Sequence, residues 1–150
     1  MEKELIWKVS KFSELTLEEL YTILHLRCKV FVIEQDAPYL DMDYKDQIAL
    51  HIHGYLDNKL IAYCRLFSAG GYFDEASIGR VIVDQEYRKY GYGHALMEKA
   101  LEIQKNILGE TKITLSAQLY LQKFYESHGF NRTSDVYLED GLPHIQMKKE

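Results

Sequence analysis

A chain of 150 residues with 47% hydrophobic and 27% charged side chains can bury one substantial core and is too short for two ordinary domains, so residues 1–150 are expected to form a single domain. Its 18 Lys and Arg against 23 Asp and Glu give a formal net charge of −5, the wrong sign for a partner of nucleic acid or anionic membrane, and bulk electrostatics favour a small substrate. Neither a signal-peptide pattern nor an apolar run near the ~20 residues that cross a bilayer is present, which predicts a soluble cytoplasmic protein.

In chain order, Leu5-Ile6-Trp7-Lys8-Val9 has strand composition. Thr16-Leu17-Glu18-Glu19 matches a capping box, so a helix begins there. The steps of three and four through Leu17, Leu20, Tyr21, Leu24, Cys28 and Phe31 predict its buried stripe, with Glu18, His25 and Lys29 facing water. Pro38 marks the helix's outer limit. Cys28 and Cys64 fit no metal-finger spacing and cannot make a disulfide framework; both read as core thiols.

After an acidic loop over residues 36–46, segments 49–55 and 60–67 flank the turn pair Asp57-Asn58, which predicts an antiparallel hairpin. A third strand over 77–83 follows Gly70 and Gly71. From residue 91 to 108, Leu96, Ala100, Ile103 and Ile107 recur at helical spacing, and Gly109 supplies a stop. Residues 112–117 read as a strand and 119–128 as a helix ending at Gly129. Two strands near 130–137 and 144–148 then flank Asp140-Gly141. The order β-α-β-β-β-α-β-α-β-β predicts an α+β fold whose mostly antiparallel sheet holds a parallel pair.

The most informative junction runs from Ile78 through His94. An apolar strand leads into Arg88-x-x-Gly91-x-Gly93 and then into the helix that follows. Glycines let main-chain amides turn inward, and a helix start adds unpaired N–H groups with about half a positive charge, so the segment suits a phosphate. Arg88 and Lys89 add two cations there. The spacing is neither Gly-x-Gly-x-x-Gly nor a P-loop, which argues against a dinucleotide or ATP.

This junction resembles the pyrophosphate loop of the GNAT superfamily of N-acetyltransferases, Arg/Gln-x-x-Gly-x-Gly/Ala after a strand. Phe124-Tyr125-x-x-x-Gly129-Phe130 is similar to that superfamily's second signature. The likeness extends to its ElaA-like branch through Leu26-Arg27-Cys28-x-Val30-Phe31-Val32-x-Glu34-Gln35, Ile78-Gly79-Arg80-Val81-Ile82-Val83 and Glu139-Asp140-Gly141-x-Pro143-His144-Ile145. The resemblance implies a central mixed, mostly antiparallel sheet of about seven strands with a splayed parallel pair, flanked by about four helices. It implies acetyl-CoA as cosubstrate, with no metal. Val81, Ile82 and Val83 would meet the pantetheine arm, the two valines through backbone groups. Arg88, Lys89, Tyr90, Gly91, Tyr92, Gly93 and His94 would cradle the pyrophosphate, with Phe124 counted beside them, and the strand over 113–117 would splay from that over 77–83 to leave the site.

The implied reaction is direct transfer of acetyl to a small-molecule or peptide amine in a ternary complex; a non-catalytic acyl-CoA sensor or interaction domain is the alternative. A lysine-like amine costs roughly 4.6 kcal/mol to deprotonate at pH 7 and an α-amino group near 8 only about 1.4, so desolvation or a base must supply the difference. Tyr125 resembles the family's tyrosine that stabilises the leaving thiolate, mainly by hydrogen bonding. Glu34, His51 and His144 are all candidate bases.

Other residues have plainer readings. His51 and His53 share a strand face, yet with Asp43 they lack a full metal-ligand set. Asp41-x-Asp43-x-x-Asp46 lacks the glycine and terminal glutamate of a calcium loop and reads as a solvated acidic loop, or else as an attractor of cationic amines. Arg80 and Arg27 are expected in ion pairs, and neither cysteine has a neighbour that would make it an acyl carrier. Tyr87, Tyr90 and Tyr92 suit loop packing or coenzyme contact better than base stacking. Edge strands allow a monomer or a homodimer.

Overall fold

A computed structural model describes residues 3–150. The elements are β1 (Ile6–Lys11), α1 (Leu17–Arg27) continued by a π-helical segment (Cys28–Glu34), β2 (Leu50–Leu56), β3 (Lys59–Phe67), β4 (Ala76–Val83), α2 (Tyr92–Asn106), β5 (Ile113–Gln118), α3 (Gln122–Glu126), β6 (Asn131–Arg132), β7 (Tyr137–Glu139) and β8 (Leu142–Lys149). They build one 8-stranded sheet in the order β1-β2-β3-β4-β5-β8-β6, with β7 also paired to β8. The β4–β5 pair is parallel and its neighbours antiparallel, the mixed α+β architecture expected, with its splayed pair.

The strand expected over 130–137 is two short strands, which raises the count from about seven to eight. Between them the Ser134 hydroxyl accepts the Gln146 N–H at 2.8 Å, so a side chain takes the place of a ladder partner. Asp57 and Asn58 both adopt left-handed backbone (φ 49° and 66°), making the tight β2–β3 hairpin that this residue pair favours.

Helix α1 starts with the expected capping box: the Glu19 N–H donates to Thr16 Oγ1 at 3.0 Å and the Thr16 N–H to Glu19 Oε1 at 2.9 Å. Its buried face differs from the expected stripe. Ile23, Leu26, Arg27 and Val30 are buried, while Leu17 is 88% and Tyr21 77% exposed. Ile23, Leu26 and Val30 pack on Leu60, Tyr63 and Ile82 of the sheet. Apolar spacing alone disfavoured this face because it contains Arg27. Cys28 is consequently exposed; Cys64 is buried, as expected.

Arg27 is tolerated inside because the acidic loop folds over it. This overturns the solvated reading: Asp41 and Asp46 are buried. Arg27 Nε lies 2.8 Å from Asp41 Oδ2 and its Nη1 2.7 Å from Asp46 Oδ1. Arg65 reaches Asp46 at 2.8 Å and Asp43 at 2.6 Å, and Arg80 reaches Asp41 at 2.7 Å. Three guanidinium groups thus meet three carboxylates, the condition under which buried charge is acceptable. Burial pushes the Asp43 carboxyl up, but hydrogen bonds and charge from Arg65 outweigh it and leave its pKa well below the usual range.

Candidate functional site

Strands β4 and β5 pair only at Ala76–Ile113 and Ser77–Thr114. Beyond that point β5 stays with β8 as far as Gln118–His144, while β4 follows β3. The β5-facing edge of β4 is therefore open from Ile78 onward. At the same place the β3–β4 register slips between Tyr63 and Arg65, so Arg80 and Val81 together oppose Cys64, a bulge. Arg80 has φ 50°, a left-handed conformation unusual for a residue with a side chain. Its guanidinium is anchored on Asp41, the ion pair expected for it.

A cavity of about 110 Å³ fills the opening, lined among others by Gly79 and Val81 of β4, Ser116 of β5, Tyr125 of α3, Glu139 of β7 and His144 of β8. Tyr125 and His144 are only 5% and 7% exposed. Burial raises the Tyr125 phenol well above its ordinary value, so the hydroxyl keeps its proton. His144 Nδ1 donates to the Leu142 carbonyl at 2.8 Å, which turns Nε2 toward Glu139 Oε2 at 3.3 Å. Ser116 Oγ in turn contacts Glu139 Oε1 at 3.2 Å and the Tyr137 hydroxyl at 2.5 Å.

Glu139 was absent from the sequence candidates. The Asp140-Gly141 turn gives the signal that finds it: a two-residue hairpin pairs Glu139 with Leu142 and Tyr137 with His144, so residues 137, 139, 142 and 144 share one face. The other two candidate bases lie elsewhere. His51 is fully buried, donates from Nε2 to the Asp46 carbonyl at 2.9 Å and accepts from the Tyr63 hydroxyl at 2.6 Å, so neither nitrogen is free; burial also lowers its pKa. Glu34 forms a two-point ion pair with Arg88 outside the cavity lining, so its charge is already matched. Neither lines the cavity that holds Tyr125 and His144.

Before α2, Asp84 receives the Glu86 N–H at 3.3 Å and the Lys29 ammonium at 3.2 Å, and opens a 3-10 turn over Gln85–Tyr90. Gly91 follows with φ 77° and is the N-cap of α2 without any side-chain cap. The first amides of a 15-residue helix, at Tyr92, Gly93 and His94, therefore point out of the helix start with no side chain to satisfy them. The positive φ is the reason for glycine at 91. Phe124 sits 3.5 Å from where a Gly93 Cβ would be, and the His94 ring packs against it at a tilt of 39°, centroids 4.8 Å apart. Val81 and Val83 lie along the open strand half-buried, whereas the Ile82 side chain points into the packing under α1.

Arg88 departs from the expected free cation: besides Glu34 it holds the Val83 carbonyl through Nε at 2.9 Å, so it braces the loop. Lys89 and Tyr90 are exposed, and the Tyr92 hydroxyl donates to the Lys3 carbonyl at 2.7 Å. Among the described residues no group of three or more His, Cys, Asp or Glu is arranged to hold a metal ion, and no helix is long and apolar enough to cross a membrane.

Comparison with known proteins agrees with this geometry. A family model described as an acetyltransferase (GNAT) domain matches residues 16–150. The protein ElaA of Escherichia coli is 41% identical over 146 residues, covering 96% of this chain and 95% of ElaA. A UPF0039 protein of Schizosaccharomyces pombe is 43% identical over 141 residues, covering 93% of each. Crystal structures of E. coli ElaA and of an acyl-CoA N-acyltransferase from Pseudomonas aeruginosa each superpose with a TM-score of 0.91 at 40% identity, over 97% of this chain and 99% of theirs.

Proposed function

The chain belongs to the GNAT acetyltransferase family, and on that premise we propose that it moves the acetyl group of acetyl-CoA directly onto a small-molecule or peptide amine within a ternary complex. One observation carries the reading: the unpaired edge of β4 borders a cavity that also holds Tyr125 and His144, and the uncapped start of α2 packs, at Gly93, against Phe124 beside Tyr125. Diphosphate needs converging N–H donors, an extended arm needs a free strand edge, and a thioester needs polar groups where the arm ends. All three features are present.

Acetyl-CoA supplies an activated acyl carbon and a thiol leaving group. Main-chain amides at residues 92–94 hold the diphosphate, and Gly91 keeps the approach clear. Glu139 attracts the acceptor ammonium, His144 Nε2 takes its proton, and the imidazolium so formed is stabilised by Glu139 at 3.3 Å. The freed amine bonds to the acyl carbon, the carbon–sulfur bond breaks, and Tyr125 donates a hydrogen bond to the sulfur as negative charge develops there; the second proton shed by the nitrogen reaches the thiolate through water. Because its phenol is raised by burial while a free thiol titrates near 8.5, complete proton transfer is uphill by more than the ~2 kcal/mol of the unperturbed pair. Burial likewise raises the Cys64 thiol, which supports direct transfer over an acyl-enzyme.

Calorimetric titration with acetyl-CoA, followed by thiol release over a panel of amines, tests the assignment. Binding with amine-dependent release is expected. Binding without release for any amine would identify a sensor, and absence of binding at millimolar ligand would sink both readings.

A further inference from the structure

Arg65 is 1% exposed in the middle of β3. Its Nη1 and Nη2 are taken by Asp43 and Asp46, at 2.6 to 2.9 Å. Its Nε is buried and is the one guanidinium nitrogen with no partner. A buried guanidinium N–H without an acceptor is costly, so such a group calls for an explanation.

Gly79 lies directly across the ladder from Arg65. A Cβ placed on Gly79 would meet a single neighbouring atom within 4 Å, the Arg65 Nε at 4.0 Å. The backbone there is not left-handed, so what glycine contributes is space. Arg65 and Gly79 both line the cavity that contains Glu139 and His144. The orphan N–H thus opens on a gap the size of a methyl group, on the wall of the proposed acceptor site.

Charge decides which oxygen suits that gap. Arg27, Arg65 and Arg80 are already matched by Asp41, Asp43 and Asp46. Glu139 and Asp140 add two further carboxylates to the lining. The cavity therefore favours a cation at Glu139 but gives no net positive charge to a second, anionic group. An uncharged carbonyl accepts the Nε–H without that repulsion.

We propose that Arg65 Nε–H and the space over Gly79 form a carbonyl-binding subsite that selects acceptors bearing an uncharged carbonyl beside the amine, the chemistry of an α-amino amide or a peptide amino terminus. The inference rests on the transferase reading above and narrows its acceptor. Alkyl polyamines lack the oxygen, and free amino acids present a carboxylate instead.

Glycinamide, glycine and ethylamine are the test acceptors, with wild type and Gly79→Ala. The added methyl stands at ordinary contact distance, so thermal melting should match wild type, which checks folding. Gly79→Ala should lower kcat/KM for glycinamide at least about tenfold more than for ethylamine, chiefly through KM. Comparing the loss for each amine across the two enzymes cancels the different basicities of the amines. In wild type, glycinamide should also outperform glycine.

A second readout needs no turnover. In 15N-labelled protein loaded with CoA, the Arg65 Nε–H resonance should move on adding glycinamide and stay put with ethylamine, and Gly79→Ala should abolish the movement. Equal losses for both amines, or a resonance indifferent to glycinamide, overturns the subsite. If acetyl-CoA binds and no amine releases thiol, the transferase reading fails by itself, and the resonance alone then decides whether the subsite takes a carbonyl.

Discussion

Arg80 in the bulge of β4 and Asp41 in the loop after α1 are joined twice, Nε to Oδ1 at 2.7 Å and Nη2 to the Asp41 carbonyl at 2.9 Å. The contact holds a left-handed residue on the rim of the cavity. The same carboxylate also anchors Arg27 through Oδ2. One buried aspartate therefore supports both the helix over the sheet and the strand irregularity at the site.

Asp41→Asn should leave two guanidinium groups short of a carboxylate. Removing one partner from a buried ion pair costs about 3 to 5 kcal/mol. For a chain of this size that lowers Tm by roughly 10 °C, read by differential scanning calorimetry. A decrease under about 2 °C would show that the network is not a structural requirement.

Gly91→Asp separates binding from stability. Aspartate is a favourable N-cap and among the residues that best tolerate left-handed backbone, so Tm should change by no more than about 3 °C. Its carboxylate would occupy the α2 amides and repel diphosphate, weakening acetyl-CoA at least about tenfold by calorimetry. Wild-type affinity in a folded variant would place the phosphates elsewhere.

Tyr125→Phe and His144→Gln probe the two sides of the transfer. Loss of the phenol should lower kcat about tenfold or more with little change in acetyl-CoA affinity. Loss of the imidazole should cost about a hundredfold in amine-dependent turnover, least for acceptors with the least basic amines. Turnover in Tyr125→Phe equal to wild type would remove the hydroxyl from the mechanism.

His53 links stability to pH. It is buried between Ser10 and Tyr55, and burial pushes its pKa down to about 4 from 6.5. Below pH 6.5 the unfolded chain binds a proton that the folded one does not, so the stability due to neutral His53 is complete above 6.5. It is lost as pH falls toward 4. Between pH 7 and 4.5, urea unfolding should show wild type losing about 2 kcal/mol more than His53→Gln. Parallel losses in the two proteins would refute this.

Local features were legible from residues 88–94, the Thr16–Glu19 capping box and the two hairpin turns, because each depends on a few consecutive residues whose backbone preferences are intrinsic. The face of α1 was misread for the opposite reason. Two stripes compete on that helix, and Arg27 belongs inside only once Asp41 and Asp46, 14 and 19 residues away, close over it. The same loop turns an acidic run that reads as solvated into an internal counter-charge.

Chain chemistry and spacing were enough to locate a glycine-bearing turn and the helix that follows it, since an uncapped helix start and a glycine at positive φ are written in adjacent residues. Bringing His144 rather than His51 or Glu34 to the cavity, placing it beside Glu139, and leaving the Arg65 Nε–H next to Gly79 required the folded sheet. Proton acceptance and hydrogen-bond demand are set by which groups are brought within about 3 Å and cut off from water, and those distances exist only after remote strands have paired.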